Sequence, residues 1–304
     1  MSKPSIAVLG TGLMGAPMAA NLLKAGFPVT AWNRTLAKAE ALVPLGAKLA
    51  PSAAAAAKGA EIVITMLENG PVVEETLFGA GAVATSLARG SLVMDMSSIE
   101  PSRAREHGAK LAALGIGYLD APVSGGTGGA RDATLAIMAG GSAEDFERTK
   151  PVMQAMGRPT HVGPAGSGQL AKLCNQTIVS VTVAVVAEAL LLAAAGGADP
   201  AAVRQAMSGG YADSKVLQLQ GQQMLDRNFM PRGPARMVLK DSKNILDTAR
   251  ELGLTLPLAK CASDIFNGLA AHGGINYDHT AVLLELERMN GGKRVGSKPD
   301  QLPS

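Results

Sequence analysis

"IAVLGTGLMGAPMAANLL", residues 6–23, is the stretch whose reading decides the fold. An apolar run stops at Gly10, Gly12 and Gly15 follow, and an alanine-rich helical pattern begins. The spacing is G-x-G-x-x-G. In a strand-to-helix turn the first glycine lets the chain turn tightly, the second lets the backbone approach a pyrophosphate, and the third lets the helix pack on its strand. The helix N-terminus adds N–H donors and a partial positive charge. Three glycines at these offsets are a weak signal by themselves. Placed after an apolar run, at the opening of a helical pattern and inside a β–α–β unit, they predict a dinucleotide-binding loop rather than a plain tight turn.

Outward from this loop the first half of the chain alternates. Apolar or β-branched runs at 5–9, 28–32, 62–67, 91–96, 116–120, 134–139 and about 159–162 read as strands. Helical patterns fall at about 13–25, 35–44, 52–58, 71–87 and 101–114. That alternation argues for a parallel sheet covered on both faces. The pattern changes near "GPAGSG", 163–168, after which a helix of about 28 residues ends at Gly196-Gly197. Shorter helices are expected near 200–207, 213–227, 235–252, 257–271 and 278–290. The expected fold class is α/β: an N-terminal Rossmann-type doubly wound sheet (1–164), then an all-helical domain for substrate binding and dimerisation (165–290), entered through the long helix. The polar tail "GGKRVGSKPDQLPS", 291–304, is expected to be disordered.

Composition bounds the function classes. Apolar residues make up 47% and charged residues 17%, enough for a sizeable core, while only 3% aromatics and 36 glycines point to close helix packing. The net charge of +3, with no basic run before the tail, asks for no nucleic-acid partner. Cys174 and Cys261 are too few for a disulfide framework; reduced thiols are expected, with one internal pair left open. The N-terminus shows no targeting pattern, so a cytoplasmic protein is expected. Residues 177–195 match a membrane span in length, but Glu188 lies inside. The reading is a buried helix at a domain or subunit seam, which implies a homo-oligomer, dimer or tetramer, and no membrane partner. His107, His161, His272 and His279 have no metal-ligand spacing, so no metal is expected. No G-x-S-x-G or paired-carboxylate pattern supports a hydrolase.

The choice between dinucleotides is read at the end of the second strand. An acidic residue there bonds a ribose 2′-hydroxyl, whereas an arginine accommodates a 2′-phosphate. Here the sequence reads "VTAWNRT": Asn33 stands where the carboxylate is expected, followed by Arg34 and Thr35. A guanidinium forms a charge-assisted fork to phosphate. NADP(H) is therefore favoured, with NAD(H) kept possible.

At this point the chain resembles the β-hydroxyacid dehydrogenase family. "GTGLMGAPMAANLLKAG" looks like its N-terminal signature, and "DMSSIEP" (95–101), "DAPVSGG" (120–126), "GSGQLAKLCNQ" (166–176) and "LKDSKNILDTA" (239–249) follow in the family's order. The resemblance runs from residue 5 to about 290 and implies roles for particular residues. Ser124, Gly125 and Gly126, whose bare backbone and hydroxyl form a small anion nest, would hold the substrate carboxylate, with Gln176 as a further substrate contact. Lys172 would be the acid/base group and Asn175 its orienter, with Gln176, where relatives often carry Asn, a second candidate for that role. A lysine near the start of an apolar helix is expected to have a lowered pKa, through desolvation and the helix field. Ser97 or Ser98 would lie near the nicotinamide and ribose, and Lys240, paired with Asp241, would close over the nicotinamide. The full expected cofactor set is Gly10, Thr11, Gly12, Leu13, Met14, Gly15, Asn33, Arg34, Thr35, Met66, Leu67, Ser97, Ser98 and Lys240. Arg232 and Arg236 read as surface residues. One departure stands out: the family often has glycine where this chain has Ala133.

The reading is an NADP(H)-preferring oxidoreductase that interconverts a short β-hydroxy carboxylate and its semialdehyde. The second half resembles the tartronate semialdehyde reductases of the family. The 3-hydroxyisobutyrate dehydrogenases and the succinic and glyoxylic semialdehyde reductases share the same constellation and stay open. So does a non-catalytic cofactor-binding scaffold, although retention of Lys172 argues against it.

Overall fold

The computed structural model describes residues 3–303. The chain divides into two compact units, Met1–Lys172 and Leu173–Ser304. The division falls inside the long helix, whereas the sequence placed the boundary before it, at 164/165.

In the first unit nine strands form one sheet: β1 (Ile6–Leu9), β2 (Val29–Trp32), β3 (Lys48–Leu49), β4 (Ile62–Thr65), β5 (Leu92–Asp95), β6 (Gly117–Asp120), β7 (Val123–Ser124), β8 (Leu135–Gly141) and β9 (Gly157–Gly163). The order is β3-β2-β1-β4-β5-β6-β8-β7, with β9 beside β8. Strands β1 to β6 pair in parallel, and β8 runs antiparallel to β6 and β7. Alternate residues of the central strands enter two separate cores. Ile6, Val8, Ile62, Ile64, Leu92 and Met94 pack on one side; Ala7, Leu9, Val63 and Val93 pack on the other. Both faces are buried, which is why these strands read as continuous apolar runs rather than alternating ones.

The covering helices are α1 (Gly15–Lys24), α2 (Ala37–Glu40), α3 (Ala53–Ala57), α4 (Gly70–Phe78), α5 (Pro101–Ala113), α6 (Gly126–Arg131) and α7 (Ala143–Gln154). Their starts are written in short polar side chains. Ser52, Asn69 and Ser142 each accept the backbone N–H three residues on, and Pro101 opens α5. Two helices are shorter than expected. Pro44 cannot continue α2, so a 3₁₀ turn follows at 43–45, and α4 stops at Gly79, before the left-handed Gly81.

The long helix α8 (Ser167–Ala195) leads into the second unit. It is followed by α9 (Pro200–Met207), α10 (Lys215–Leu225), α11 (Ala235–Glu251), α12 (Pro257–Ala271) and α13 (Val282–Met289), with no strand beyond two isolated bridges among the described residues. Val183, Ala187 and Leu190 of α8 bury into the core of this unit beside Phe229, Phe266 and Leu286. The opposite face stays open. Ile178, Val185 and Leu192, seven residues apart, are 68%, 52% and 75% exposed.

The tail corrects the expectation of disorder. Residues 291–303 are mostly exposed but held at a few anchors, and Ser304 lies outside the described residues. Val295 is buried in the helical core. Gln301 exchanges backbone hydrogen bonds with Arg227 and Phe229. The fully buried Arg227 guanidinium holds Glu287 at two points, 2.7 and 2.8 Å, donates to the Val295 carbonyl at 3.0 Å, and pairs with Asp300. A polar tail can be ordered when its few anchors meet a buried charge that water cannot reach.

Candidate active site

The glycine loop is built as its spacing implies. Gly10 has φ +101°, and a Cβ there would lie 2.3 Å from the Met66 carbonyl oxygen; one on Gly15 would lie 1.9 Å from the Gly10 carbonyl oxygen. Those two positions need glycine for the turn and the packing. A Cβ on Gly12 would meet nothing within 4 Å, so the space in front of this loop is open for a phosphate. Leu13 projects outward, 80% exposed, and Met14 packs against the sheet core. Thr11 is buried and its hydroxyl has no partner, a polar atom waiting at the floor of the loop. These features fit a dinucleotide.

Asn33 turns out to hold the loop itself. Its side-chain oxygen accepts the Thr11 N–H at 3.0 Å and its amide nitrogen donates to the Thr35 carbonyl at 2.9 Å. Arg34 and Thr35 are exposed beside it. The neighbouring loops are joined: the Leu67 N–H donates to the Ser97 hydroxyl at 3.0 Å, and Asp95 accepts from the Thr65 hydroxyl at 2.7 Å and the Ser97 N–H at 3.0 Å. Ser97 is wholly buried, so its hydroxyl serves the loop; Ser98 is half-buried and stands nearer the surface. Burial raises the Asp95 carboxyl above the usual range, against the hydrogen bonds it accepts.

The second constellation lies on β7, α6 and the start of α8. Ser124 ends β7, Gly125 is at φ +141° with Leu135 pressed 3.2 Å from where a Cβ would be, and Gly126 at φ +62° faces open space. The sequence reads this block as a small anion nest; its second glycine opens α6 directly. Lys172 Nζ donates to the Val123 carbonyl at 2.8 Å, which brings the amine to the residue before Ser124. Ala133, between α6 and β8, is held at φ +54°, a left-handed conformation that explains why glycine is the easier residue there.

Two residues the sequence reading passed over secure this region, although both sit inside the quoted blocks. Asp120 is fully buried and accepts the Gly166 and Gln169 N–H groups, each at 2.7 Å. Burial pushes its carboxyl up to about 7, against those two bonds and with Asp95 adding repulsion. Gln169 is also fully buried; it donates to the Ser97 carbonyl at 2.8 Å and accepts from the Ile99 N–H at 3.1 Å. A buried acid in "DAPVSGG" was the available signal.

In the second unit the site residues are chained. Asn175 donates to the Gln176 oxygen at 2.8 Å, and Gln176 donates to Asp241 Oδ2 at 2.6 Å. A carboxylate only accepts, so it sets the orientation of both amides. Lys240 Nζ is 3.6 Å from Asp241 Oδ1. Gln176 and Asp241 line a mostly apolar cavity of about 160 Å³ together with Val179, Val183, Phe266 and His279. Arg236 donates to Asn276 at the surface, and the Arg232 N–H donates to Asp278.

Comparison with known proteins identifies the family. Residues 5–167 match the family model of the NAD-binding domain of 6-phosphogluconate dehydrogenase. Residues 166–286 match that described as NAD-binding of NADP-dependent 3-hydroxyisobutyrate dehydrogenase. The chain is 41% identical over 284 residues to 2-hydroxy-3-oxopropionate reductase of Escherichia coli (strain K12), covering 92% of this chain and 96% of the relative. It is 38% identical over 287 residues to 3-hydroxyisobutyrate dehydrogenase of Pseudomonas aeruginosa, covering 90% and 95%. The solved structure of Mycobacterium tuberculosis 3-hydroxyisobutyrate dehydrogenase with L-serine superposes with a TM-score of 0.84 at 33% identity, over 93% of this chain and 99% of that one. The chain belongs to the β-hydroxyacid dehydrogenase family and is an NAD(P)-dependent oxidoreductase.

Proposed function

We propose that the protein is an NADP(H)-preferring reductase of a short carboxylate semialdehyde, of the 2-hydroxy-3-oxopropionate type. The observation that supports the reading most is the 2.8 Å bond from Lys172 Nζ to the carbonyl of Val123, one residue before the Ser124-Gly125-Gly126 segment. In this reading the Ser124 hydroxyl and the bare backbone of the two glycines bind the carboxylate. The glycine loop would hold the phosphates of a dinucleotide, whose nicotinamide would supply the hydride. Lys172 gives a proton to the aldehyde oxygen as it becomes a hydroxyl, and takes it back in the reverse direction. Asn175 gives one amide hydrogen to Gln176 and keeps its carbonyl oxygen as an acceptor for the lysine. Arg34 is the group that would favour a 2′-phosphate, and the 41% identical relative supports the substrate class.

The exposed Ile178, Val185 and Leu192 stripe supports a second copy of this chain packed along α8. The test of the function is an assay of the protein with NADPH and NADH against four aldehydes: 2-hydroxy-3-oxopropionate, the semialdehyde of 3-hydroxyisobutyrate, succinic semialdehyde and glyoxylate. The highest kcat/KM is expected for 2-hydroxy-3-oxopropionate with NADPH. A clear preference for the 3-hydroxyisobutyrate semialdehyde, or for NADH, would replace the substrate or cofactor reading respectively.

A further inference from the structure

We infer that Asp120 and Gln169 are positioning residues for Lys172, clamping the first turn of α8 onto the loops that follow β5 and β6. The inference rests on the acid/base reading of Lys172. An α-helix leaves its first N–H groups without partners. They are normally capped by a residue at the helix start. In α8 two of these positions are served from elsewhere in the fold. The Asp120 carboxylate, at the end of β6, takes the Gly166 and Gln169 N–H groups with one oxygen each, both at 2.7 Å. Gln169 then reaches the other loop, bonding the Ser97 carbonyl at 2.8 Å and the Ile99 N–H at 3.1 Å. The fit is tight. A Cβ on Gly168 would lie 2.2 Å from the Asp120 carbonyl oxygen, and one on Gly140 would lie 2.6 Å from the Gly168 N.

Lys172 stands three residues beyond Gln169, about 4.5 Å further along a stiff helix. Its own bond to the Val123 carbonyl must loosen when the amine turns to a substrate oxygen. At that moment the distance between the Lys172 backbone and the Ser124 nest depends on the Asp120–Gln169 clamp. A misplacement of about 1 Å at a reacting group can cost about 100-fold in rate. The clamp therefore acts first on the proton step; it does not touch the glycine loop, and only its Gln169 half reaches the Ser97 loop.

The test is a double-mutant cycle. Asp120→Asn sets an amide donor against one of two backbone donors; Gln169→Met keeps the bulk and removes both side-chain bonds. In the otherwise native enzyme each should lower kcat by roughly 10- to 100-fold, with the KM for NADP(H) unchanged in Asp120→Asn and changed by a smaller factor than kcat in Gln169→Met, whose side chain also holds the Ser97 loop. In a Lys172→Ala background neither should lower the residual turnover further, because the group they position is gone. Equal fold losses in both backgrounds, or no loss in the native one, would overturn the inference. If Lys172→Ala itself keeps native turnover, the acid/base reading fails and the clamp falls with it. Where residual turnover is too small to measure, the rate of Lys172 labelling by an amine-specific reagent decides, read by peptide mass spectrometry. It should rise at least about threefold in either variant as the Val123 contact loosens, and an unchanged rate would contradict the clamp. Should Asp120→Asn fail to fold, Gln169→Met carries the test, since it leaves the Asp120 bonds to the backbone in place.

Discussion

Arg227 and Glu287 form a two-point ion pair out of reach of water, at 2.7 and 2.8 Å, and Asp300 of the tail completes the cage around the guanidinium. Arg227 is wholly buried and also sits at φ +51°, so the pair is held in place at some backbone cost. Removing one partner of a buried pair leaves an uncompensated charge, which typically costs ~3–5 kcal/mol. Glu287→Gln should therefore lower the unfolding free energy by an amount in that range, read as a clearly lower urea midpoint. Asp300→Asn, at the more exposed edge, should lower it less. Burial raises the Asp300 carboxyl, but the Arg227 and Arg294 bonds outweigh it and leave it below the usual range. The sign follows: the stabilisation from Asp300 is present above the ordinary carboxylate pKa and is lost as pH falls through the lower, folded value. Urea unfolding from pH 7 down to pH 3 should show an acid-side loss that is smaller in Asp300→Asn than in the native protein, the remainder coming from other lowered carboxylates such as Glu285.

Ala133 at φ +54° carries a strain that glycine does not. Relief of a left-handed alanine gains ~1–2 kcal/mol, and part of that is offset by the greater freedom of glycine in the unfolded chain. Ala133→Gly should raise stability by roughly 0.5–1 kcal/mol, visible as a higher Tm. A lower Tm would show that Ala133 makes contacts worth more than its strain.

Arg34 should select the cofactor. A hydrogen bond to a charged group contributes ~1.5–3 kcal/mol. Arg34→Ala should raise the KM for NADPH by roughly 10- to 150-fold and leave that for NADH nearly unchanged. Equal effects on the two cofactors would mean that the exposed Arg34 does not read the 2′-phosphate.

The long-range order of the fold was legible because it is written in periodicity. The central strands bury both faces, so each is a continuous apolar run, and the helices of the second half carry their Pro, Ser and Asp start signals. What escaped was short or non-local. β3 and β7 are two residues each and α6 is glycine-rich, so none has a period to read. The site blocks were visible as motifs, yet their wiring was not. The Asp120 bonds to residues 46 and 49 positions away leave no local trace. Asn33 was read as a group facing the cofactor, and it also ties the glycine loop from below. The tail was misread because polarity argues for disorder only where no buried partner exists, and Arg227 supplies one.

The open stripe on α8 should be covered by a second copy of the chain. Val185→Glu with Leu192→Glu places two carboxylates on that face without touching the buried Val183, Ala187 and Leu190. The native protein should run as a dimer or tetramer in size-exclusion chromatography with light scattering, and the double variant should shift toward monomer. A native monomer would remove the seam.

Turnover of Lys172→Ala with saturating NADPH and the best aldehyde tests the central claim most directly. The glycine loop, with Gly12 open to a phosphate, and the Ser124-Gly125-Gly126 nest remain intact in that variant. General acid/base catalysis contributes ~10²–10⁴-fold, so kcat should fall by about that factor while cofactor affinity stays nearly unchanged. Lys172→Arg should not restore it, because a guanidinium does not give up its proton near neutral pH. Turnover within a few-fold of native in the alanine variant would contradict the account, for the proton would then be carried by another group or by water.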